Sequence, residues 1–159
     1  MPDSTSDSAT GSAADEPTGG TGLGHRQVRL ERTGPGEFDV LNERGGRLHL
    51  GDGQSGDFTA VELLLAAIAG CSSVDVDAIT GRRAQPEQFE VRCEGDKVRD
   101  EHGNHLTGIE VSFTVRFPDG PDGDRARDML PRAVQMSHDR LCTVTRTVVL
   151  PTPVTSHLT

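Results

Sequence analysis

The longest apolar run in the chain covers residues 59–80, which contain no proline and are rich in leucine and alanine. Leucine, alanine and glutamate favour helices, and Thr59 and Glu62 have the spacing of a capping box. Gly81 follows the run, at the position where glycine commonly ends a helix. The pattern therefore predicts a central helix of roughly 33 Å. Because Glu62 and Asp75 interrupt the apolar residues, we expect a core helix and no membrane span.

Alternating polar and apolar residues lie on both sides of this run and predict strands. Ahead of it, residues 25–32, 37–41 and 47–50 alternate and are separated by glycine-containing turns, which predicts a three-stranded antiparallel meander. Behind it, residues 87–94 and 109–117 each carry apolar side chains at every second position. Such alternation is typical of half-buried strands.

The C-terminal part of the chain has a less regular pattern. Residues 124–136 have helical spacing, and we expect Pro131 to kink or break that helix. Ser137 can cap a short helical piece that ends near Cys142. Residues 144–150 are rich in β-branched side chains, which predicts a final strand, and the prolines that follow restrict it to a sheet edge.

Composition limits the domain organisation. Residues 1–24 are almost wholly small, polar or acidic, so we expect a disordered tail followed by one domain over residues 25–155. The chain has no Trp, no Tyr and five Phe, so its core is expected to be thin for a monomer. Burial of apolar surface between subunits would therefore help to stabilise it.

Charge and cysteine usage narrow the classes of partner and compartment. The formal net charge is −9, and the arginines are dispersed among acidic residues, which argues against a nucleic-acid partner. Three cysteines without a C-x-x-C spacing are unlike a secreted disulfide framework. A reducing compartment is indicated, and the cytoplasm is the simplest location.

Two of the three cysteines, Cys71 and Cys142, fall in or beside predicted helices. If helix packing brings them together, they form a dithiol that can cycle through a disulfide. The alternative is that both are buried small residues, since cysteine is among the residues most often buried. Cys93 is in phase with the apolar side of its strand and is predicted to be a small core residue.

The sequence around these two cysteines resembles the OsmC/Ohr family. The first motif is residues 62–75, ELLLAAIAGCSSVD, and the second is residues 133–144, AVQMSHDRLCTV. The resemblance extends over residues 28–150 and includes the order of the elements. It implies an α+β fold in which antiparallel sheets pack on a long central cysteine-bearing helix, in an intertwined homodimer. It also implies reduction of small organic hydroperoxides at the subunit interface, with a dithiol such as dihydrolipoamide as external reductant.

The resemblance assigns the attacking role to Cys71 and the resolving role to Cys142. The attacking species is the thiolate, and Cys71 lies about three turns from the predicted helix start, beyond the reach of the helix dipole. A cation must therefore come from elsewhere. In the peroxidases of this family an arginine on the N-terminal strands supplies it and is held by a glutamate on the cysteine helix. Arg29 is the first candidate for that arginine and Arg32 the second.

One position departs from the peroxidase pattern. The acid expected ten residues before the cysteine is Val61 in this chain. Glu62 lies about 180° from Cys71 on a straight helix and belongs more simply to the helix cap. Asp75 is on the same face as Cys71 and is a candidate to orient an arginine. The departure keeps open an alternative function, a non-catalytic or weakly redox-active binding protein on the same fold.

A metal centre is not expected. His138 and Cys142 have i, i+4 spacing, but no second pair of ligands with the usual spacing of a zinc site is present. We therefore expect no metal and no bound cofactor.

Overall fold

The computed structural model describes residues 22–158 and has an α+β architecture. It divides between Ala60 and Val61 into two units, each of which contains one antiparallel sheet. The disordered tail predicted for residues 1–24 lies almost entirely outside the described residues.

The first unit contains the predicted three-stranded meander. Its strands are β1 (Arg29–Gly34), β2 (Glu37–Leu41) and β3 (Arg47–Leu50), and they pair in the order β1-β2-β3. The turn between β2 and β3 is held by the Asn42 side chain, whose Oδ1 accepts hydrogen bonds from the Arg44 and Gly46 amides. The prediction is confirmed, although β1 starts later than the alternating pattern does.

A buried carboxylate joins β2 to β3. Asp39 is buried, and it accepts a hydrogen bond of 2.8 Å from His49 Nδ1 and a second one from Arg47. These two partners lower the pKa of Asp39, and the bond to Asp39 raises the pKa of His49. The other ring nitrogen of His49 lies 4.0 Å from Asp57, in the loop that follows β3.

The predicted central helix is α1 (Ala60–Thr80), which carries Cys71 near its middle. Its buried residues repeat every fourth position, as expected for one helical face: Ile68, Ser72, Val76 and Thr80. Leu64 and Val74 of the same helix are 40% and 59% exposed. The length and the mean hydropathy of 1.6 would also suit a membrane span, a criterion that core helices of soluble proteins meet as well.

The second unit also contains a long hairpin, formed by β4 (Gln88–Asp100) and β5 (Gly103–Arg116). Phe89 and Phe113 meet edge to face with ring centroids 6.4 Å apart, and Cys93 pairs with Val111 across the two strands. Both strands were predicted, but each extends further toward the turn than the alternating pattern indicated.

The next helix is α2 (Pro121–Met136), and it is continuous through Pro131. The break predicted at Pro131 does not occur. Pro131 and Arg127, whose carbonyl loses its helical partner, are both exposed, so water can replace the lost hydrogen bond. Gly123 in the first turn packs against the preceding loop so closely that a Cβ would lie 1.8 Å from the Pro118 carbonyl oxygen.

The prediction of a final strand over residues 144–150 was wrong. A π-helical turn (Ser137–Leu141) is followed by a short helix, α3 (Thr143–Val149). Cys142 is the N-cap of α3, and its sulfur accepts a hydrogen bond from the Thr145 amide. This cap satisfies one of the free amides of the first turn, so local capping prevails over the β-propensity of the Thr and Val residues.

Candidate functional site

Two cysteine side chains meet between α1 and the start of α3. The thiols of Cys71 and Cys142 lie within hydrogen-bonding reach and shift each other's pKa, and neither is in a disulfide. Cys142 is fully buried, whereas Cys71 is only partly buried. An adjacent pair of free thiols, one of them accessible, can be oxidised reversibly to a disulfide.

The π-helical turn positions Cys142 opposite α1. The Cys142 amide donates a 2.9 Å hydrogen bond to the Ser137 carbonyl oxygen, five residues earlier. The Ser137 hydroxyl in turn donates a 2.8 Å hydrogen bond to Asp75, one helical turn after Cys71. Ser137 is fully buried, so this bond fixes the turn to the cysteine-bearing helix.

The sulfur of Cys142 is surrounded by hydrogen-bonding groups. The Thr145 amide donates to it at 3.3 Å, the Thr145 Oγ1 atom lies 3.1 Å from it, and the Ser72 hydroxyl bonds to it as well. Burial raises the pKa of Cys142, but the bonds from Ser72, Thr145 and Cys71 outweigh it. The pKa of Cys142 therefore lies below the ordinary value of a thiol.

The pKa of Cys71 is shifted in the opposite direction, above the ordinary value of a thiol. Burial raises its pKa, and Cys142 and the carboxylate of Asp75 raise it further, whereas a hydrogen bond from the Val144 amide lowers it. Within the described part of the chain, no cation is among the main influences on the pKa of either thiol. Of the two sulfurs, Cys142 is thus the one that more readily carries a negative charge.

The remaining predicted site residues lie in different surroundings. Asp75 is brought beside Cys71, as its position on α1 indicates. Arg29 lies in the first unit, is exposed and forms an ion pair with Glu31, so its predicted role stays a prediction. Arg32 and Glu62 are exposed as well.

The structure contains no candidate metal centre among residues 22–158, where no three His, Cys, Asp or Glu side chains cluster suitably. His138 is exposed in the π-helical turn, whereas Cys142 is buried. The i, i+4 spacing of these two residues therefore does not produce a shared ligand site.

A cavity of about 430 Å³ opens beside the thiols. Ser72 and Thr145, which both contact Cys142, form part of its wall. The rest is mainly apolar and includes side chains of α1, β5 and α3, among them Ile68, Ile109, Val111, Phe113, Val148 and Val149. Neither cysteine is among its lining residues, so the cavity can hold an apolar group near Cys142, with Ser72 and Thr145 between them.

The site roles of three residues were not predicted from the sequence: Ser72, Thr145, and Ser137, which was predicted to be a helix N-cap, a position that Met136 occupies instead. Ser72 and Ser137 are ordinary polar residues whose contact partners lie far away in the sequence, whereas the partner of Thr145 is nearby. Thr145 lies three residues after Cys142, which is the spacing between an N-cap residue and the backbone amide that its side chain bonds. That signal was present in the sequence, but cysteine is not among the usual capping residues.

Comparison with known proteins agrees with this architecture. Residues 51–157 match the family described as OsmC-like protein, which is most of the chain, so the protein belongs to the OsmC-like family. None of the curated proteins searched matches the chain significantly.

Several solved structures share the fold. A hypothetical protein from Aquifex aeolicus is 24% identical, with 80% of this chain and 89% of that chain covered and a TM-score of 0.63. An OsmC-like protein of unknown function from Vibrio cholerae is 11% identical, with 79% and 94% covered and a TM-score of 0.64. More distant is the organic hydroperoxide resistance protein OhrB of Bacillus subtilis, at 13% identity, 76% and 90% coverage and a TM-score of 0.48. The likeness to the Aquifex aeolicus and Vibrio cholerae proteins shows a common fold.

Proposed function

We propose that the protein is a thiol peroxidase that reduces organic hydroperoxides through Cys71 and Cys142. The observation that carries the proposal is the contact between the two thiols, one partly accessible and one buried, beside an apolar cavity. Membership of the OsmC-like family supports the same activity, because the resemblance of the two cysteine motifs to that family implies reduction of organic hydroperoxides.

The reaction would proceed in three steps that leave the protein unchanged overall. The Cys71 thiolate attacks the terminal oxygen of the hydroperoxide, the O–O bond breaks, and the alkoxide leaves as the alcohol after taking a proton. The Cys142 thiolate then attacks the sulfur of the Cys71 sulfenic acid, and hydroxide leaves. An external dithiol, such as dihydrolipoamide, reduces the resulting disulfide and is itself oxidised.

Hydroperoxide consumption with dihydrolipoamide tests this proposal. We expect an organic hydroperoxide to be consumed faster than hydrogen peroxide, because the cavity wall beside the thiols is apolar. The Cys71→Ser variant should abolish turnover, and Cys93→Ser should retain it. Equal rates for wild type and Cys71→Ser would overturn the proposal.

A second candidate function is a binding protein on the same fold with little redox activity. It is favoured by the raised pKa of Cys71, which has Asp75 and no dominant cation near it within the described residues. Such a protein would leave both thiols reduced after exposure to a hydroperoxide. It would also show a Cys71 pKa above that of a free cysteine, about 8.5.

We further propose a cytoplasmic homodimer. The fully buried apolar residues of the described chain are few and mostly small: Ile68, Val76, Phe117, Ala126, Ala133 and Cys142. Leu64 and Val74 on α1 are substantially exposed, which is costly for a long apolar helix and favours a second copy covering it. Light scattering should give twice the chain mass, and Val74→Glu should shift it toward the monomer. A monomeric wild type would contradict this part of the proposal.

A further inference from the structure

The peroxidase reaction requires a Cys71 thiolate, yet the groups around Cys71 oppose one. Burial, the neighbouring thiol and the Asp75 carboxylate all favour the neutral form. The Val144 amide gives one opposing hydrogen bond. The proton of Cys71 therefore needs an acceptor within hydrogen-bond distance at the moment of attack.

Cys142 meets the requirements for that acceptor. Its sulfur lies within hydrogen-bonding reach of the Cys71 thiol, so the proton can be transferred directly. Its sulfur also accepts a 3.3 Å hydrogen bond from the Thr145 amide, lies 3.1 Å from Thr145 Oγ1 and interacts with the Ser72 hydroxyl. A thiolate accepts such hydrogen bonds, whereas a thiol has a single proton to offer. The neutral Cys142 thiol donates to Thr145 Oγ1, and this hydroxyl can rotate to donate once Cys142 is deprotonated. Together with the Thr145 amide and the Ser72 hydroxyl it then stabilises the anion of the buried sulfur.

We propose that Cys142 is the general base that removes the proton of Cys71 during attack on the hydroperoxide, and that Ser72 and Thr145 are positioning residues that hold Cys142 as the thiolate. This inference rests on the proposed peroxidase function and extends it. It gives Cys142 a role in the first chemical step, in addition to its role in resolving the sulfenic acid.

The charge and proton balance closes over the two steps. In the proposed mechanism the reaction starts with Cys71 as a thiol and Cys142 as a thiolate. Cys71 passes its proton to Cys142 and forms the S–O bond, and the departing alkoxide takes a proton back from Cys142 to become the alcohol. Cys142 is then again a thiolate, ready to attack the sulfenic sulfur and expel hydroxide. Each cycle converts one hydroperoxide to one alcohol and one hydroxide and oxidises the two cysteines by two electrons.

The other titratable groups near the pair do not provide this function. Asp75 accepts a hydrogen bond from Ser137, and its negative charge raises the pKa of Cys71. His138, in the π-helical turn, is exposed and lines the cavity. Of these titratable groups, Cys142 is the one within hydrogen-bonding reach of Cys71.

The test is the rate at which the Cys71 thiol is lost in a single turnover, followed by rapid alkylation and mass spectrometry with cumene hydroperoxide. Cys142→Ala should slow this first oxidation at pH 7 by about 100-fold, the lower end of what a general base contributes. If a cation elsewhere activates Cys71, Cys142→Ala would leave the rate unchanged and only let the sulfenic acid persist. An unchanged rate would thus overturn the inference.

Conservative variants keep the test decisive if Cys142→Ala does not fold. Thr145→Val retains the shape, the backbone amide and both cysteines, and Ser72→Ala removes the other hydroxyl. Each should shift the pH profile of Cys71 oxidation to higher pH and lower the rate at pH 7 about fivefold, the effect of one hydrogen bond. The rate on the alkaline plateau should be unchanged, which a general structural defect would not produce.

Thr147→Val is the matched control, because the Thr147 hydroxyl bonds the Thr143 carbonyl oxygen on the same helix and does not contact the cysteines. Its pH profile should equal that of the wild type. Identical profiles for Thr145→Val, Ser72→Ala and wild type would overturn the inference while leaving the peroxidase function intact. Absence of any Cys71 oxidation in the wild type would overturn the proposed function itself.

Discussion

Ser137 Oγ donates a 2.8 Å hydrogen bond to Asp75 Oδ2, although the two residues are 62 positions apart. Through this bond the turn that carries Cys142 is attached to the helix that carries Cys71. This polar contact beside the two thiols therefore helps to bring them together, in addition to the apolar packing around α1.

Removing that contact should weaken both the fold and the thiol pair. Ser137→Ala leaves the half-buried Asp75 carboxylate without this donor, so we expect the free energy of unfolding to fall by about 1–3 kcal/mol. Disulfide formation between Cys71 and Cys142 should also slow. Urea unfolding measures the first effect, with Ser73→Ala as control. The Ser73 hydroxyl bonds the Ala69 carbonyl oxygen within α1, and its loss should cost less. Equal losses for the two variants would contradict the linking role of Ser137.

Neutralising Asp75 should make Cys71 more reactive. The Asp75 carboxylate raises the pKa of Cys71 because two negative charges repel each other, and an amide would retain a hydrogen-bond acceptor for Ser137. Asp75→Asn should therefore shift the pH profile of Cys71 alkylation to lower pH. Asp77→Asn is the matched control, since Asp77 is exposed on the same helix. A shift of the same size in both variants would show that only the overall charge matters.

The first unit should become less stable as the pH rises above neutrality. The pKa of His49 is raised above its ordinary value of 6.5 by Asp39, so the stabilisation it provides is complete below 6.5 and is lost above the raised value. The pKa of Asp39 is lowered below 3.8, so its own contribution persists down to lower pH. Hydrogen exchange of the β2 and β3 amides, corrected for the intrinsic pH effect, should report faster opening at alkaline pH.

His49→Gln should remove this pH dependence from the first unit. His102→Gln should not, because His102 lies in the exposed turn of the β4–β5 hairpin. A pH dependence that survives in His49→Gln would assign the effect to another group.

Filling the cavity should discriminate between peroxides. Val148 lines the cavity and is 46% exposed, so the larger side chain of Val148→Phe can be accommodated without steric clashes in the core. We expect the rate with cumene hydroperoxide to fall about tenfold and the rate with hydrogen peroxide to change little. Val154→Phe, at a position that is 91% exposed and outside the cavity wall, serves as control. Equal losses with both peroxides would place the substrate elsewhere.

The sequence predicted the elements whose residues repeat with a clear period. Alternation located β1 to β5, and the long apolar run located α1. In β4, β5 and α1 the pattern follows the burial of one side, which determines the residue type there. The prediction from sequence failed over residues 144–150, where β-branched residues suggest a strand. The helix found there, α3, begins at a cap formed by the Cys142 sulfur, and local composition does not reveal such a cap.

The residues of the candidate site likewise divide into those that the sequence could predict and those that it could not. Cys71, Cys142 and Asp75 were predicted to be site residues from motifs and helical spacing, and the structure brings the three close together. The predicted role of Asp75 in orienting an arginine stays a prediction. Ser72 and Ser137 were missed because their roles depend on tertiary contacts with Cys142 and Asp75. A serine on an apolar helix face has no periodic signal that separates a hydrogen-bonding role from simple small size.

The central claim is that Cys71 and Cys142 act as one redox pair. Its most direct test is mass spectrometry of the protein after one equivalent of an organic hydroperoxide, with Cys93 as internal control. We predict a Cys71–Cys142 disulfide, with Cys93 still reduced because it lies on the β4–β5 hairpin in pairing contact with Val111. Retention of both free thiols at Cys71 and Cys142 would contradict the claim.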